Sequence, residues 1–409
     1  MRILVQKFGG SSLTTTKSRN RVVDHIRRER DNGYQVVVVV SAMGRLGDPY
    51  ATDTLLELIR SESEPLSVRE QDLLLACGEI ISAITLSALL QQNGISAEAF
   101  TGASAGILTN DQFGNALIKD IQPERLRKSL GQGNVAVVAG FQGQTSQGEI
   151  TTLGRGGSDT TATALGAALK AEYVDIYTDV SGVLTADPRI VARAKPLTTI
   201  SYAEISNMAR EGAKVIHPRA VQFAWQAKLP LRIRSTFSEE IGTIVTDTTM
   251  VEVTSERQVM AIAHFNGLTQ FTVTMEECSE QEQSKQQLEL PLQVFQLLAD
   301  HAISIDFIHV TQSQINFTVQ EQYTTLAVRL LQDHNIRVSV RPNCAKVSVI
   351  GGGMNGQPGV MANIVAALTE HHIAILQSAD SNTTIWLLID QKQMEDAVRT
   401  LHEKFNLHK

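Results

Sequence analysis

Two familiar nucleotide signatures are missing from this 409-residue chain: it has no G-x-x-x-x-G-K-[ST] and no G-x-G-x-x-G after an apolar run. Any nucleotide it handles must sit in another cradle. Cysteine is scarce as well. Cys77, Cys278 and Cys344 are odd in number, far apart and without C-x-x-C spacing, which argues against a disulfide framework or a zinc site and fits a reducing cytosol. Positive charge is in deficit, with 36 Lys and Arg against 43 Asp and Glu and a net charge of −7, so neither a nucleic-acid backbone nor an anionic membrane is a suitable partner. The apolar start is interrupted by Arg2, Gln6 and Lys7 and is too short for a signal peptide. No apolar run reaches the roughly 20 residues of a transmembrane helix. The expectation is a cytoplasmic protein.

Apolar residues, at 43%, occur along the whole chain while charged ones are held to 19%, so the chain folds throughout, as two to three domains. From Met1 to about Asp247, continuous β-branched runs such as "YQVVVVVSAMG", "NVAVVAGFQG", "AEYVDIYTD" and "LPLRIRST" read as buried strands. Helical stretches lie between them, over Asp72 to Gln92, Thr160 to Lys170 and Ile216 to Lys228. This alternation predicts an α/β fold, a largely parallel open sheet with helices on both faces. Past about Val251 the chain matches itself at an offset of 70 residues: Val294 to Val319 lies on Ile364 to Ile389 without a gap. Each copy reads helix, strand, strand, helix after an apolar strand, a small α+β unit used twice. Domain boundaries follow at 1–250, 251–341 and 342–409. The glutamine-rich Glu276 to Glu289 is expected to be a solvated loop.

Four glycine loops each leave a predicted strand: "KFGGSS", "VSAMG", "GFQG" with its continuation "TTLGRGGSDTTATA", and "TDVSGVLTADPR". In an open α/β sheet such loops converge on one edge, and glycines there let backbone N–H groups approach phosphate. In "GRGGSDTTATALGAAL" an arginine sits among three glycines, and Ser158, Asp159 and Thr160 offer capping chemistry to the helix that follows. Among these loops Lys7 and Arg155 supply positive charge, which favours a phosphate site.

"KFGGSS", "VVSAMG", "LLACGEIISA", "GFQGQTSQGEITTLGRGGSDTTA", "YTDVSGVLTADPR" and "GAKVIHPRAV", in this order, resemble the successive signatures of aspartate kinase, a branch of the amino acid kinase family. The resemblance covers the first 250 residues or so and continues into two C-terminal modules of the ACT type, ferredoxin-like α+β units. "SAMGRLGDPYATDTLL" and "REQDLLLACGE" further resemble the Bacillus-type enzyme sensitive to diaminopimelate. It implies phosphoryl transfer from ATP with Mg2+ to the side-chain carboxylate of L-aspartate, giving 4-phospho-L-aspartate, the first step toward lysine, threonine and methionine. Because a carboxylate attacking a γ-phosphate brings two anions together, positive charge and positioning must supply the catalysis. The resemblance puts Lys7 and Lys214 on the transferring group, Gly9 and Gly10 as backbone donors, and Asp159 as orienter of the lysines. Arg155 is suited to grip a carboxylate and Glu79 matches the residue that meets the amino group. Ser11, Ser41, Thr52 and Ser158 supply hydroxyls. Thr178, Asp179 and Arg189 lie along the nucleotide, and no protein-held metal is expected.

Alone, each has a bland reading: a surface charge for Glu79, an N-cap for Asp159, a partner of Asp187 for Arg189, a solvated side chain for Lys214. His217, before Pro218, reads as structural, since a carboxylate needs no proton removed at neutral pH. Leu184 stands where the family often has an aromatic near the adenine, and "RLGDPYA" lengthens a loop expected to act as a lid. ACT-type modules imply an amino-acid effector, here lysine, threonine or diaminopimelate, with Ser304 and Asp306 as candidates for its ammonium, and a homodimer or higher homo-oligomer. The alternative reading is a non-catalytic sensor of amino acid or nucleotide on a kinase fold.

Overall fold

The structure, a computed structural model, describes residues 2–60, 66–213, 215–247, 259–274, 280–352 and 358–408. It divides into two units: Met1–Val183, Pro196–Arg210 and Lys214–Thr254 form the first, and Leu184–Lys195, Glu211–Ala213 and Ser255–Lys409 the second.

The first unit begins β1 (Ile3–Phe8), α1 (Gly10–Leu13), α2 (Thr16–Asp31), β2 (Gln35–Val40), α3 (Thr52–Arg60) and α4 (Val68–Gln92). It continues through β3 (Ala97–Phe100), β4 (Ile107–Thr109), β5 (Ile118–Ile121), α5 (Glu124–Gly131), β6 (Val135–Ala139), β7 (Gln142–Gln144) and β8 (Ile150–Thr152). It closes with α6 (Gly157–Leu169), β9 (Tyr173–Thr178), β10 (Thr199–Ser201), α7 (Tyr202–Arg210), α8 (Pro218–Gln226), β11 (Leu231–Ser235) and β12 (Thr243–Thr246).

Val36 to Val40 form a run of valines with no polar alternation, so the strand they make must be covered on both faces. All five are buried, and β2 pairs in parallel with β1 on one side and β6 on the other. On one face Val36, Val38 and Val40 pack with Val22 and Ile26 of α2 and Leu86 and Leu90 of α4. The other face lies under α6. The full sheet has the order β10-β12-β11-β9-β1-β2-β6-β3, and every neighbouring pair is parallel except β11 with β12. A smaller sheet, β5-β4-β7-β8, packs against α4.

Helix ends depart from the sequence reading for local reasons. Ser67 accepts from the Glu70 N–H, so α4 starts at Val68 instead of Asp72. Pro218 takes the first position of α8, with His217 as the cap before it. The α6 helix begins at Gly157 behind Gly156, whose φ of 71° ends the preceding loop, and no side chain caps it; Ser158, Asp159 and Thr160 lie inside its first turn. One expectation is corrected outright. By length and composition α4 is apolar enough to cross a membrane, because Glu79 is the only charged residue between Asp72 and Gln92. Half of its apolar window is nevertheless buried in the protein, as are both Asp72 and Glu79, which is the pattern of a core helix.

The second unit is built from β13 (Ala261–Thr274), α9 (Glu280–Asp300), β14 (Ile305–Val310), β15 (Gln314–Gln320) and α10 (Thr324–Asp333). The second copy is β16 (Val338–Ile350), α11 (Val360–Glu370), β17 (Gln377–Asp380), β18 (Thr384–Asp390) and α12 (Met394–Lys404). The strands form one antiparallel sheet, β14-β15-β13-β16-β18-β17, in which the two copies meet at the long central strands. The runs "NIRVSV" (335–340) and "AKVSVIGG" (345–352), which read as two strands from the sequence, are joined by the single strand β16. Gln, Glu and Lys are good helix formers, and the stretch expected to be a loop is helical from Glu280 onward, with Pro291 inside α9. Glu276 to Ser279 lie outside the described residues.

Leu86 is fully buried between α4 and the valine face of β2. Leu86→Ala is expected to cost about 2–5 kcal/mol of stability, read as a lower denaturation midpoint at unchanged slope.

Candidate active site

The carboxyl ends of β1, β2, β6 and β9 face the same way because these strands are parallel neighbours, and each releases one of the glycine loops there. Gly10 shows how tightly the loops meet: a Cβ on it would stand 2.6 Å from the Ala42 carbonyl oxygen and 2.7 Å from that of Gly44. The Gly44 N–H donates to the Gly10 carbonyl, and the Ser41 N–H to that of Phe8. Only glycine lets the first two loops close on one another.

Lys7 lies on β1 between buried Gln6 and Phe8, and its ammonium Nζ is 2.7 Å from Asp159 Oδ1 in the first turn of α6. Each side chain is 13% exposed. The pair is therefore partly desolvated yet open to a ligand, the condition in which a cation stabilises developing negative charge most. Asp159 Oδ2 accepts the His217 N–H at 3.3 Å, which ties α6 to the cap of α8. The His217 ring accepts the Arg219 N–H, and burial lowers its pKa, consistent with a structural part.

Glu79 lies on α4, 2% exposed. Its Oε1 accepts the Ala42 N–H at 2.9 Å, whereas Oε2 is buried with no hydrogen-bond partner. Burial pushes its pKa up to about 8, against the lowering effect of the Ala42 N–H. Gly78 makes the contact possible, since a Cβ there would lie 2.9 Å from the Ala42 Cβ and 3.1 Å from the Tyr50 carbonyl. A carboxylate with one oxygen reserved is a ready acceptor for an ammonium ion.

Arg155 is exposed and pairs with no carboxylate among the described residues. Ser11 and Ser41 are half-buried on the first two loops, Thr52 is half-buried at the start of α3, and Ser158 is buried in the first turn of α6. A Cβ on Gly9 would stand 3.6 Å from Lys7 Nζ and 3.9 Å from the Tyr177 carbonyl oxygen. Thr178 folds its hydroxyl back on Val180 at the end of β9, and Asp179 forms an ion pair at 2.9 Å with Arg45 of the extended loop. Lys214 lies outside the described residues.

Arg189 belongs to the second unit, exposed and forked on Asp187. In that unit Ser304 is exposed just before the edge strand β14. Asp306, on β14, already accepts from Lys346 Nζ at 2.6 Å, and Lys346 also meets Glu211 at 2.8 Å. The sequence reading missed this internal ammonium. It also missed Asp72, a fully buried carboxyl on α4, although an acid seven residues before Glu79 on an apolar helix was a visible signal.

The model of the amino acid kinase family matches residues 2–235, and an ACT domain model matches residues 339–403. The chain is 52% identical to Aspartokinase 1 of Bacillus subtilis (strain 168) over 412 residues, covering 100% of both. Among solved structures it is similar to E. coli aspartokinase III in complex with aspartate and ADP, with TM-score 0.79 at 27% identity over 98% of this chain and 99% of that one. The same enzyme in complex with lysine and aspartate gives TM-score 0.75 at 27% identity over 100% of each chain.

Gly10→Ala is expected to part the first two loops and reduce turnover at least tenfold with the protein still folded, checked by kcat alongside a thermal melt; wild-type turnover would remove the close approach from the site.

Proposed function

The chain belongs to the amino acid kinase family and, within it, to the aspartokinases, and from that premise we propose how its residues divide the phosphorylation of L-aspartate by ATP. The side-chain carboxylate of aspartate attacks the γ-phosphorus, the bond to the β–γ bridging oxygen breaks, and ADP departs carrying the electron pair. Both reactants are anions and no proton need move, so the work is charge stabilisation and alignment. Lys7 meets the transferring group, with Lys214 as second cation and Gly9 and Gly10 as backbone donors. Asp159 holds Lys7 at its ammonium. The single observation that carries this reading is the 2.7 Å pair of Lys7 with Asp159 at the edge where four loops converge.

Arg155 grips the carboxylate that does not react, and Glu79 takes the ammonium on its unpartnered oxygen. Ser11, Ser41, Thr52 and Ser158 surround the acceptor with hydroxyls. Thr178 and Asp179 attend the nucleotide. ATP enters as its magnesium complex, with the ion held mainly by the phosphates. The ACT-type modules take an end-product amino acid, lysine, threonine or diaminopimelate, with Ser304 and Asp306 on its ammonium. The enzyme works in the cytoplasm as a homodimer or higher homo-oligomer. The competing reading, a sensor without catalysis, is disfavoured by the intact Lys7 pair and the reserved oxygen of Glu79.

ADP release from MgATP is expected with L-aspartate, far more slowly with L-glutamate and not without acceptor, and inhibition by lysine, threonine or diaminopimelate names the effector. No aspartate-dependent turnover would overturn the function. Lys7→Ala is expected to lower kcat about 100-fold or more.

With its pKa near 8, Glu79 is mostly protonated at neutral pH before aspartate binds, and an ammonium beside it favours the ionised form. The KM for aspartate is therefore expected to fall as pH rises from about 6 to about 8 while that for ATP stays level. Glu79→Gln should weaken aspartate binding and flatten the profile. A wild-type KM independent of pH would remove Glu79 from the ammonium.

A further inference from the structure

Asp72 is fully buried on α4, two turns before Glu79 and on the same helix face. It has no cationic partner among the described residues. Its two oxygens instead accept the Gly114 N–H at 2.9 and 3.1 Å, the Thr152 N–H at 2.8 Å and the Thr152 hydroxyl at 2.6 Å. Burying a carboxyl is costly unless donors replace its water, and an apolar residue would join α4 to the small sheet at less cost. What the carboxyl adds is a fixed geometry.

That geometry bears on Arg155. Thr152 ends β8, three residues before Arg155. Along this stretch the Thr152 carbonyl accepts the Ala116 N–H at 2.8 Å, and the Leu153 N–H donates to the Phe141 carbonyl at 2.8 Å. The Leu153 carbonyl accepts from Arg219 Nη1 at 2.7 Å. Arg219, on α8, donates also to Asn115 Oδ1 and the Ala116 carbonyl, each at 3.0 Å. Every backbone polar group of Thr152 and Leu153 is thus committed, with α4 gripping from one side through Asp72 and α8 from another through Arg219. Arg155 emerges from a rigid mount.

We propose that Asp72 and Arg219 are positioning residues that hold Arg155 and Glu79 on one frame and thereby set the length of amino dicarboxylate that the enzyme phosphorylates. The proposal rests on the assignment of Arg155 and Glu79 to the acceptor. With both anchors fixed, the reacting carboxylate must span from them to Lys7, and glutamate, one methylene longer than aspartate, overshoots. A rigid site can discriminate one methylene by about 10–200-fold, and a slack one forgives it.

The test compares Thr152→Val, which keeps the β-branched shape but loses the 2.6 Å bond, with Thr152→Ser, which keeps the hydroxyl. Arg219→Met removes the second grip. For Thr152→Val and Arg219→Met the aspartate KM is expected to rise about tenfold and the preference in kcat/KM for aspartate over glutamate to narrow about tenfold, with the ATP KM within about twofold of wild type. Thr152→Ser should behave as wild type. A purely structural role would lower the melting temperature and leave acceptor preference unmoved, and that result overturns the proposal. If Arg219→Met fails to fold, the threonine pair decides. Arg155→Ala separates the two levels: a normal aspartate KM there overturns the assignment of Arg155 and the proposal with it, whereas a raised KM beside an unchanged preference in Thr152→Val overturns the positioning alone.

Discussion

The pairing of Lys7 with Asp159 is the interaction on which the rest of the first unit turns. An enzyme that joins a carboxylate to a phosphate must gather positive charge where two anions meet, and a lysine left alone in water is a mobile, strongly hydrated point charge. Here the parallel sheet supplies the place and α6 supplies the counter-charge, so the ammonium is held at a known position before any ligand arrives. The loops from β2 and β6 complete the cradle. Gly10 and Gly78 let backbone and helix approach to distances that no side chain permits.

Glu79 shows the same economy with the opposite sign. A carboxyl at the heart of an apolar helix is held by one backbone donor and keeps its second oxygen unpartnered. Its raised pKa follows from that arrangement, and under the proposed assignment an ammonium ion beside it would bring back the stabilisation that burial removed.

Much of this was legible in the chain. Valine runs bounded by glycine loops can hardly be anything but central strands, and the gapless repeat at an offset of 70 residues matches a sheet whose halves repeat β14, β15 as β17, β18. Lys7, Asp159 and Glu79 could be named because their motifs are dense and ordered. Less legible was whatever depends on distance between remote segments. Asp72 with Thr152, Arg219 with Leu153, and Lys346 with Asp306 and Glu211 are pairings across 40 to 135 residues, and no periodicity carries them. The polar start of α9 misled for another reason: composition that argues against a buried face does not argue against a helix.

The central claim, that Lys7 and Asp159 act as one unit in phosphoryl transfer to aspartate, is tested most directly by a double-mutant cycle on kcat using Lys7→Met and Asp159→Asn. If Asp159 acts by holding Lys7, the double variant should be no slower than Lys7→Met alone, a coupling that accounts for the whole effect of the aspartate change. Effects that simply multiply would contradict the account and give the two residues separate roles.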